Sequence, residues 1–380
     1  MSTLFILGRL PELSAAEVAA VLGDPPITLV GNDIARVDRE VAEPDVLLRR
    51  LGGTVKIAVP VADAFSVPAV ADDLRARASG RVNFGISWHL QPARIKEHLA
   101  AGLQVKAMLA EAGVPSRLVT SREPQLSSVI VHKEHCREYL VLPDGSVART
   151  VAVQDFEAFA ARDVGRPHRD LESGTLPPKL ARIMVNLARL TRASGGLPAG
   201  TALLDPFCGS GTILNEAALL GVPTVWGSDV ADRAVTQSQQ NLAWLAGRYP
   251  QTRALRAEVK RADVRKLSAA WPKASVDVVV TEPYLGPPRH GNESRPQLRK
   301  VIGELSDLYL AAFDQFTKVL KPGGRVVIAM PEFVFGHETM PLPIDDDIKR
   351  FGFTLTGGPY EYSRPDQHIR RQISVWVWGG

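Results

Sequence analysis

Four short apolar runs in the second half of the chain end in groups that can do chemistry. Ala202-Leu203-Leu204 ends at Asp205, Thr224 to Ser228 at Asp229, Leu255 to Ala262 at Asp263, and Val276 to Val280 at Thr281-Glu282-Pro283-Tyr284. Read as strands of an open α/β sheet, all four place their polar group at a carboxyl end, where such sheets bind ligands. Singly, each has an ordinary explanation: a helix cap, a turn residue, a surface acid, a strand terminator. Their recurrence at four successive strand ends does not.

Asp205 leads into Pro206-Phe207-Cys208-Gly209-Ser210-Gly211-Thr212, a loop poor in side chains where a ligand can approach the backbone. No Gly-Lys-Ser/Thr is present, so this is not a phosphate-cradling P-loop. The third glycine of a dinucleotide fingerprint is also missing, which disfavours an NAD-dependent oxidoreductase. A carboxylate at Asp205 repels a pyrophosphate and suits a cationic ligand. S-adenosylmethionine carries a sulfonium and an ammonium group, and Asp205 and Asp229 can receive its ammonium side and its ribose hydroxyls. The spacing of about 20 residues between the two acids would serve NAD equally and does not discriminate.

The elements that must hold these groups alternate. A helix follows the glycine loop, another spans Ala231 to Ala246, and a third, Leu305 to Leu320, turns at Lys321-Pro322-Gly323-Gly324 into a strand from Arg325 to Met330. Final strands are expected at Phe353 to Thr356 and Arg371 to Trp378. This order predicts a mostly parallel sheet wrapped on both faces. Upstream, residues 1–60 predict strand, helix, strand, short helix, strand. Residues 80–155 predict a helix from Pro92 towards Ala112, then strands at Arg117 to Thr120, Ser127 to His132, Glu138 to Leu142 and Val147 to Val153. The last two form a hairpin about Pro143-Asp144-Gly145-Ser146.

A chain of 380 residues, 45% hydrophobic and 23% charged, suits two domains of a globular protein. No run of about 18 apolar residues offers a membrane span, and Met1 to Arg9 lacks the basic start of a signal peptide. Two cysteines, Cys136 and Cys208, make neither a disulfide framework nor a zinc cluster. A reduced, cytoplasmic, metal-free enzyme is expected.

The net charge of +4 permits nucleic-acid binding without requiring it, so the placement of cations matters more. Arg162, Arg166, His168, Arg169, Lys179, Arg182, Arg189 and Arg192 cluster around Gly165, Pro167, Gly174 and Pro177-Pro178. Together they predict a phosphate-facing surface; singly, each more readily caps a helix or pairs with an acid. Arg289, His290, Arg295, Arg299 and Lys300 follow the fourth strand end and predict a basic loop. Such a loop either steers a phosphate backbone or is simply solvated.

Asp205 to Thr212 resembles the first cofactor motif of RNA methyltransferases that carry an N-terminal THUMP domain. Gly165-Arg166-Pro167-His168-Arg169-Asp170 and Gly174-Thr175-Leu176-Pro177-Pro178-Lys179-Leu180-Ala181 resemble the segment joining the two domains in tRNA guanine-10 N2-methyltransferases. Tyr362-Ser363-Arg364 through Arg370 to Val375 is similar to that family's C-terminal strand. The resemblance implies a Rossmann-like class I methyltransferase domain with a seven-stranded mostly parallel sheet, preceded by an α+β ferredoxin-like and THUMP region. It implies boundaries at 1–160, a basic linker at 161–174, and a catalytic domain at 175–380. It implies that Asp205, Pro206, Phe207, Gly209, Gly211, Thr212, Thr175 and Leu176 line S-adenosylmethionine, that Asp229 binds its ribose, and that Asp263 reaches its adenine. Arg166, Arg169, Lys179 and Arg289 become candidate RNA contacts, and tRNA the expected partner.

The same family carries an Asp, Asn or Ser, then Pro-Pro, then an aromatic residue, where this chain has Thr281-Glu282-Pro283-Tyr284. Tyr284 keeps a platform on which a splayed base can stack, and Pro283 keeps the second proline. Thr281 and Glu282 depart from the pattern. A guanine amino group is a poor nucleophile because its lone pair is conjugated into the ring. Acceptors on its two N–H groups hold it near the methyl and stabilise charge as it forms. Either Thr281 and backbone carbonyls supply those acceptors, or the Glu282 carboxylate does and also takes the proton. Glu282 can alternatively turn outward to a linker arginine. The expected reaction is methyl transfer from S-adenosylmethionine to N2 of a guanosine in tRNA. The alternatives are an rRNA or DNA amino-group methyltransferase, and an RNA-binding protein with a non-catalytic core.

Overall fold

A computed structural model describes residues 2–89, 95–169, 176–190, 197–289, 291, 293–364 and 367–380. The chain divides into two compact units, one of Met1–Ala19 and Asp24–Ala158, the other of Ala20–Gly23 and Phe159–Gly380.

In the first unit, β1 (Thr3–Leu7), α1 (Pro11–Leu22), β2 (Ile27–Leu29), β3 (Ile34–Val37), α2 (Pro44–Arg50) and β4 (Thr54–Ala62) come first. Then follow α3 (Val67–Ala76), β5 (Val82–Trp88), α4 (Ile95–Glu111), β6 (Ser116–Leu118), α5 (Ser128–Lys133), β7 (Arg137–Val141) and β8 (Val147–Val153). One eight-stranded sheet in the order β2-β3-β1-β4-β8-β7-β5-β6 joins them, and this arrangement fits a THUMP-like α/β region. The β7–β8 hairpin forms as expected, its turn tied by Gly145 N–H donating to Leu142 O and Ser146 N–H donating to Asp144. Ser127 to His132 is not a strand. Ser127 Oγ accepts the Ile130 N–H at 3.2 Å and caps a helical turn, which overrides the β-branched run behind it.

Inside this sheet lies a closed ionic cluster. Lys56 Nζ donates to Glu138 Oε1 and to Leu126 O, both at 2.6 Å. Ser87 Oγ donates to the same carboxylate oxygen, and Thr150 Oγ1 donates to the other at 2.7 Å.

The chain passes through α6 (Phe156–Asp163) and α7 (Pro178–Leu187) into the second sheet. Its elements are β9 (Ala202–Asp205), α8 (Thr212–Leu219), β10 (Thr224–Asp229), α9 (Asp232–Arg248), β11 (Arg256–Arg261), α10 (Leu267–Ala270) and β12 (Val276–Thr281). They continue as α11 (Arg295–Val319), β13 (Leu320–Phe335), β14 (Glu338–Pro341), α12 (Asp345–Arg350), β15 (Phe353–Tyr362) and β16 (Ile369–Trp378). The strand order is β11-β10-β9-β12-β13-β16-β15, with β14 pairing separately to β13. β9 to β13 pair in parallel, and β16 inserts antiparallel between β13 and β15. This is the seven-stranded Rossmann-like methyltransferase sheet, extended by a hairpin.

Val276, Val278, Val279 and Val280 are fully buried, as a central parallel strand covered on both faces requires. Across them, α11 lays down Leu298, Ile302, Leu305, Tyr309, Phe313 and Phe316 at three- and four-residue spacing. Each such side chain contributes about 1.5–3 kcal/mol on burial. The helix begins at Arg295, ten residues before the expected Leu305, because Ser294 and Gln297 form a capping box ahead of it. Arg295, Arg299 and Lys300 therefore stand on a helix rather than in a loop.

Candidate active site

The loop after β9 is built around two left-handed glycines. Gly209 has φ +50° and Gly211 has φ +83°, and a Cβ on Gly211 would lie 2.5 Å from Ser238 Oγ. Gly211 is also the N-cap of α8, so no side chain caps the first N–H groups of that helix. Gly209 N–H donates to Asp229 Oδ2 at 3.0 Å and Ala231 N–H to Asp229 Oδ1 at 3.0 Å, fixing the carboxylate that ends β10 across the loop that ends β9. Pro206 and Thr212 are buried and Phe207 half-buried.

Asp205 sits at the bottom of this arrangement, 1% exposed. Burial pushes its carboxyl up to about 7; hydrogen bonds from Thr281 and the Phe207 N–H oppose that rise, and the nearby charges of Asp229 and Glu282 add to it. A buried acid held half-protonated near neutrality is one that a neighbouring cation would ionise. At the end of β11, Asp263 accepts the Arg265 N–H at 2.9 Å through one oxygen and is 40% exposed, so it can meet a ligand at the rim. Leu176 is buried just ahead of α7, while Thr175 lies outside the described residues.

Three anchors hold the segment after β12. Thr281 is fully buried, and its Oγ1 donates to Asp205 Oδ1 at 2.7 Å. Glu282 pairs with Arg371 of β16, each side chain 14% exposed. Tyr309 of α11 donates from its hydroxyl to Tyr284 O at 3.3 Å. Between the anchors Pro283 is buried and Tyr284 is 53% exposed, its ring presented outward. Glu282 does not turn to an arginine of the 162–192 segment. Arg371 and Tyr309 were not singled out in the sequence: the first is one of two arginines at the head of an apolar strand, the second a tyrosine on an apolar helix face.

Several of the cations expected at an RNA surface are folded inward. Arg162 Nε donates to Glu216 Oε1 at 2.7 Å, and Arg182 Nη2 lies 2.6 Å from Glu216 Oε2, with all three side chains no more than 7% exposed. Arg162, Arg182 and Lys179 also lie 4.4, 5.1 and 5.3 Å from the centre of the Phe159 ring. Arg166 is 4% exposed and donates from Nη1 to Thr212 Oγ1 at 2.6 Å. Arg289, its side chain 4% exposed, donates to Val334 O and His368 O and pairs with Glu293. Arg166 and Arg289 are thus interior residues, corrected from the RNA face. Arg169 keeps a part-exposed charge, its side chain 34% exposed and 4.0 Å from Asp163.

Residues 166–335 match the model of the RMKL-like methyltransferase domain. The tRNA (guanine(10)-N2)-dimethyltransferase of Methanothermobacter thermautotrophicus is 35% identical over 191 residues, which is 50% of this chain and 48% of that protein. The protein of the same name from Pyrococcus abyssi is 26% identical over 341 residues, covering 86% of this chain and 87% of that one. The chain thus spans about half of the first relative and most of the second. TrmN from Thermus thermophilus has the same fold over the whole of both chains, with a TM-score of 0.54 at 19% identity.

Proposed function

We propose that the protein transfers a methyl group from S-adenosylmethionine to the N2 amine of a guanosine in RNA, with tRNA as the substrate class. The observation that carries this reading is the convergence of Asp205, Asp229 and the Thr281–Tyr284 segment at the carboxyl ends of three adjacent strands, β9, β10 and β12. The named activity of these two relatives supports the choice of guanine N2 over other amines. A cytoplasmic location belongs to the same proposal; no described helix is long and apolar enough to cross a membrane.

The residues present fit the cofactor. The glycine cradle admits a ligand against the backbone, and a buried carboxyl near neutrality accepts an ammonium group. S-adenosylmethionine supplies an electrophilic methyl on a sulfonium. The chain supplies position and acceptors. Thr281 spends its hydroxyl proton on Asp205, so it couples the two strand ends and does not face the base. Glu282 is the acceptor for the target amine and the group that carries its proton away, while Arg371 orients the carboxylate. Tyr284 offers the ring on which the extruded base stacks. Cys208 takes no covalent part, since burial raises its thiol well above the ordinary range.

The test is incubation with labelled S-adenosylmethionine and unmodified tRNA, rRNA or duplex DNA, followed by identification of the product nucleoside. N2-methylguanosine in tRNA is the expected product. Label in another nucleoside would move the substrate, and label in none, with cofactor binding intact by calorimetry, would sink the enzyme reading. Glu282→Gln is expected to slow turnover about 100-fold or more, and a wild-type rate would remove Glu282 from the mechanism.

A further inference from the structure

Arg289 is committed within the protein, and at one place in it. Its Nη1 donates to Val334 O at 2.7 Å and to His368 O at 2.8 Å, while Nε and Nη2 donate to Glu293 Oε2 at 3.3 and 3.1 Å. Glu293 also accepts the Gly291 N–H at 3.2 Å. The buried guanidinium lies 5.9 Å from the centre of the Phe333 ring. Val334 N–H donates to the same His368 carbonyl, one step beyond the Phe333–Ile369 pair that ends the β13–β16 ladder. A planar fork that meets two carbonyls and a carboxylate at once holds its own stretch of chain in a single place.

The other end of that stretch is held by the same strand. Glu282 pairs with Arg371, three residues after His368. Residues 282–289 are therefore tied at both ends to the head of β16, with the exposed Tyr284 between the ties. Inside the stretch, the Tyr309 hydroxyl holds the Tyr284 carbonyl, and Gly286 takes φ +101°, a conformation that side chains rarely adopt. Pro287 and Pro288 stiffen the link from Gly286 to Arg289, because proline fixes φ. A displacement at Arg289 is thus passed back to Tyr284 rather than absorbed on the way.

We propose that Arg289, with Glu293 behind it, is a positioning residue for methyl transfer: it holds the Tyr284 ring where the target base stacks, as a clamp opposite the Glu282–Arg371 pair. Arg289 then serves the RNA through Tyr284 rather than by meeting a phosphate. This assignment rests on the base-stacking role given to Tyr284 above. A misplacement of about 1 Å can cost about 100-fold in rate, so a residue that acts only through Tyr284 carries a measurable share of turnover.

The experiment is single-turnover methyl transfer to unmodified tRNA at saturating cofactor, for the wild type, Arg289→Met, Tyr284→Ala and the double variant. Arg289→Met should lower the rate about 10-fold, with S-adenosylhomocysteine affinity unchanged by calorimetry. On the Tyr284→Ala background the same change should cost less than about twofold, because the group it positions is gone. In the RNA-free protein, amide exchange over residues 284–286 should quicken in Arg289→Met while that over 276–280 holds. Glu293→Ala, which takes one partner from the guanidinium, should repeat the pattern at smaller size and serves if Arg289→Met does not fold. Multiplicative losses in the double variant, an unchanged rate, a matching loss of cofactor affinity or unchanged exchange would overturn the assignment. A wild-type protein that methylates neither tRNA nor rRNA would instead overturn the function reading beneath it, and the exchange comparison would still decide whether the clamp exists.

Discussion

Each unit buries a cluster of charges, and the two clusters are built differently. In the first, one ammonium meets one carboxylate, and Ser87, Thr150 and the Leu126 carbonyl engage what remains. In the second, Arg162 and Arg182 both meet Glu216, while Arg166 donates to Thr212 and leaves its Nε and Nη2 without a hydrogen-bond partner. Coulomb attraction offsets desolvation only where geometry and hydrogen bonding are complete. The first cluster closes on itself; the second leaves one of its guanidinium groups incompletely bonded.

The sharpest way to break this contrast is to open the closed cluster. Lys56→Met leaves Glu138 buried alone and should cost about 3–5 kcal/mol in urea unfolding, most of it recovered when Glu138→Leu is added. A Lys56→Met variant that unfolds like the wild type would erase the distinction. The ion pair at the site mouth comes next. Arg371→Met frees the Glu282 carboxylate and should lower turnover about 100-fold with S-adenosylhomocysteine affinity unchanged; lost affinity would assign Arg371 to the cofactor instead.

Acidity separates the two ends of the cofactor site. Asp205 holds its proton up to about 7 in the folded protein, above its unfolded value, so its contribution to stability is greatest in acid and lost as pH rises towards 7. Binding an ammonium requires the ionised form. Affinity for S-adenosylhomocysteine should therefore weaken tenfold for each pH unit below about 7 and level off above it, with proton release visible in buffers of different ionisation heat. A flat profile would detach Asp205 from the ammonium. The smallest effect is expected at Arg169: its alanine variant should bind tRNA about twofold to threefold more weakly, with a salt slope reduced by about 1 and wild-type stability.

The second sheet was legible because parallel strands buried on both faces read as continuous apolar runs, Val276 to Val280 above all, and because each ends in a marked residue. The glycine loop was legible because its residue types follow from its backbone. Pairings across the chain were not. Glu282 and Arg371 are 89 positions apart and meet only because β16 inserts beside β13. The basic segment misled for a related reason: a run of arginines reads the same whether water or Glu216, 54 positions from Arg162, receives it. Around Ser127 a local capping bond decided the element against the β-branched run that follows, and at Ser294 a capping box set the helix start ahead of where the apolar pattern alone puts it.

The insertion of β16 between β13 and β15 also sets an order in time. β9 to β13 can pair as they are made, completing the cofactor loop and presenting Tyr284, yet Glu282 has no counter-charge until β16 arrives. At about 5–20 residues per second that interval is roughly 5–20 s of synthesis. A nascent chain on the ribosome, surrounded by tRNA, would hold every part of the site except the one that aims its carboxylate.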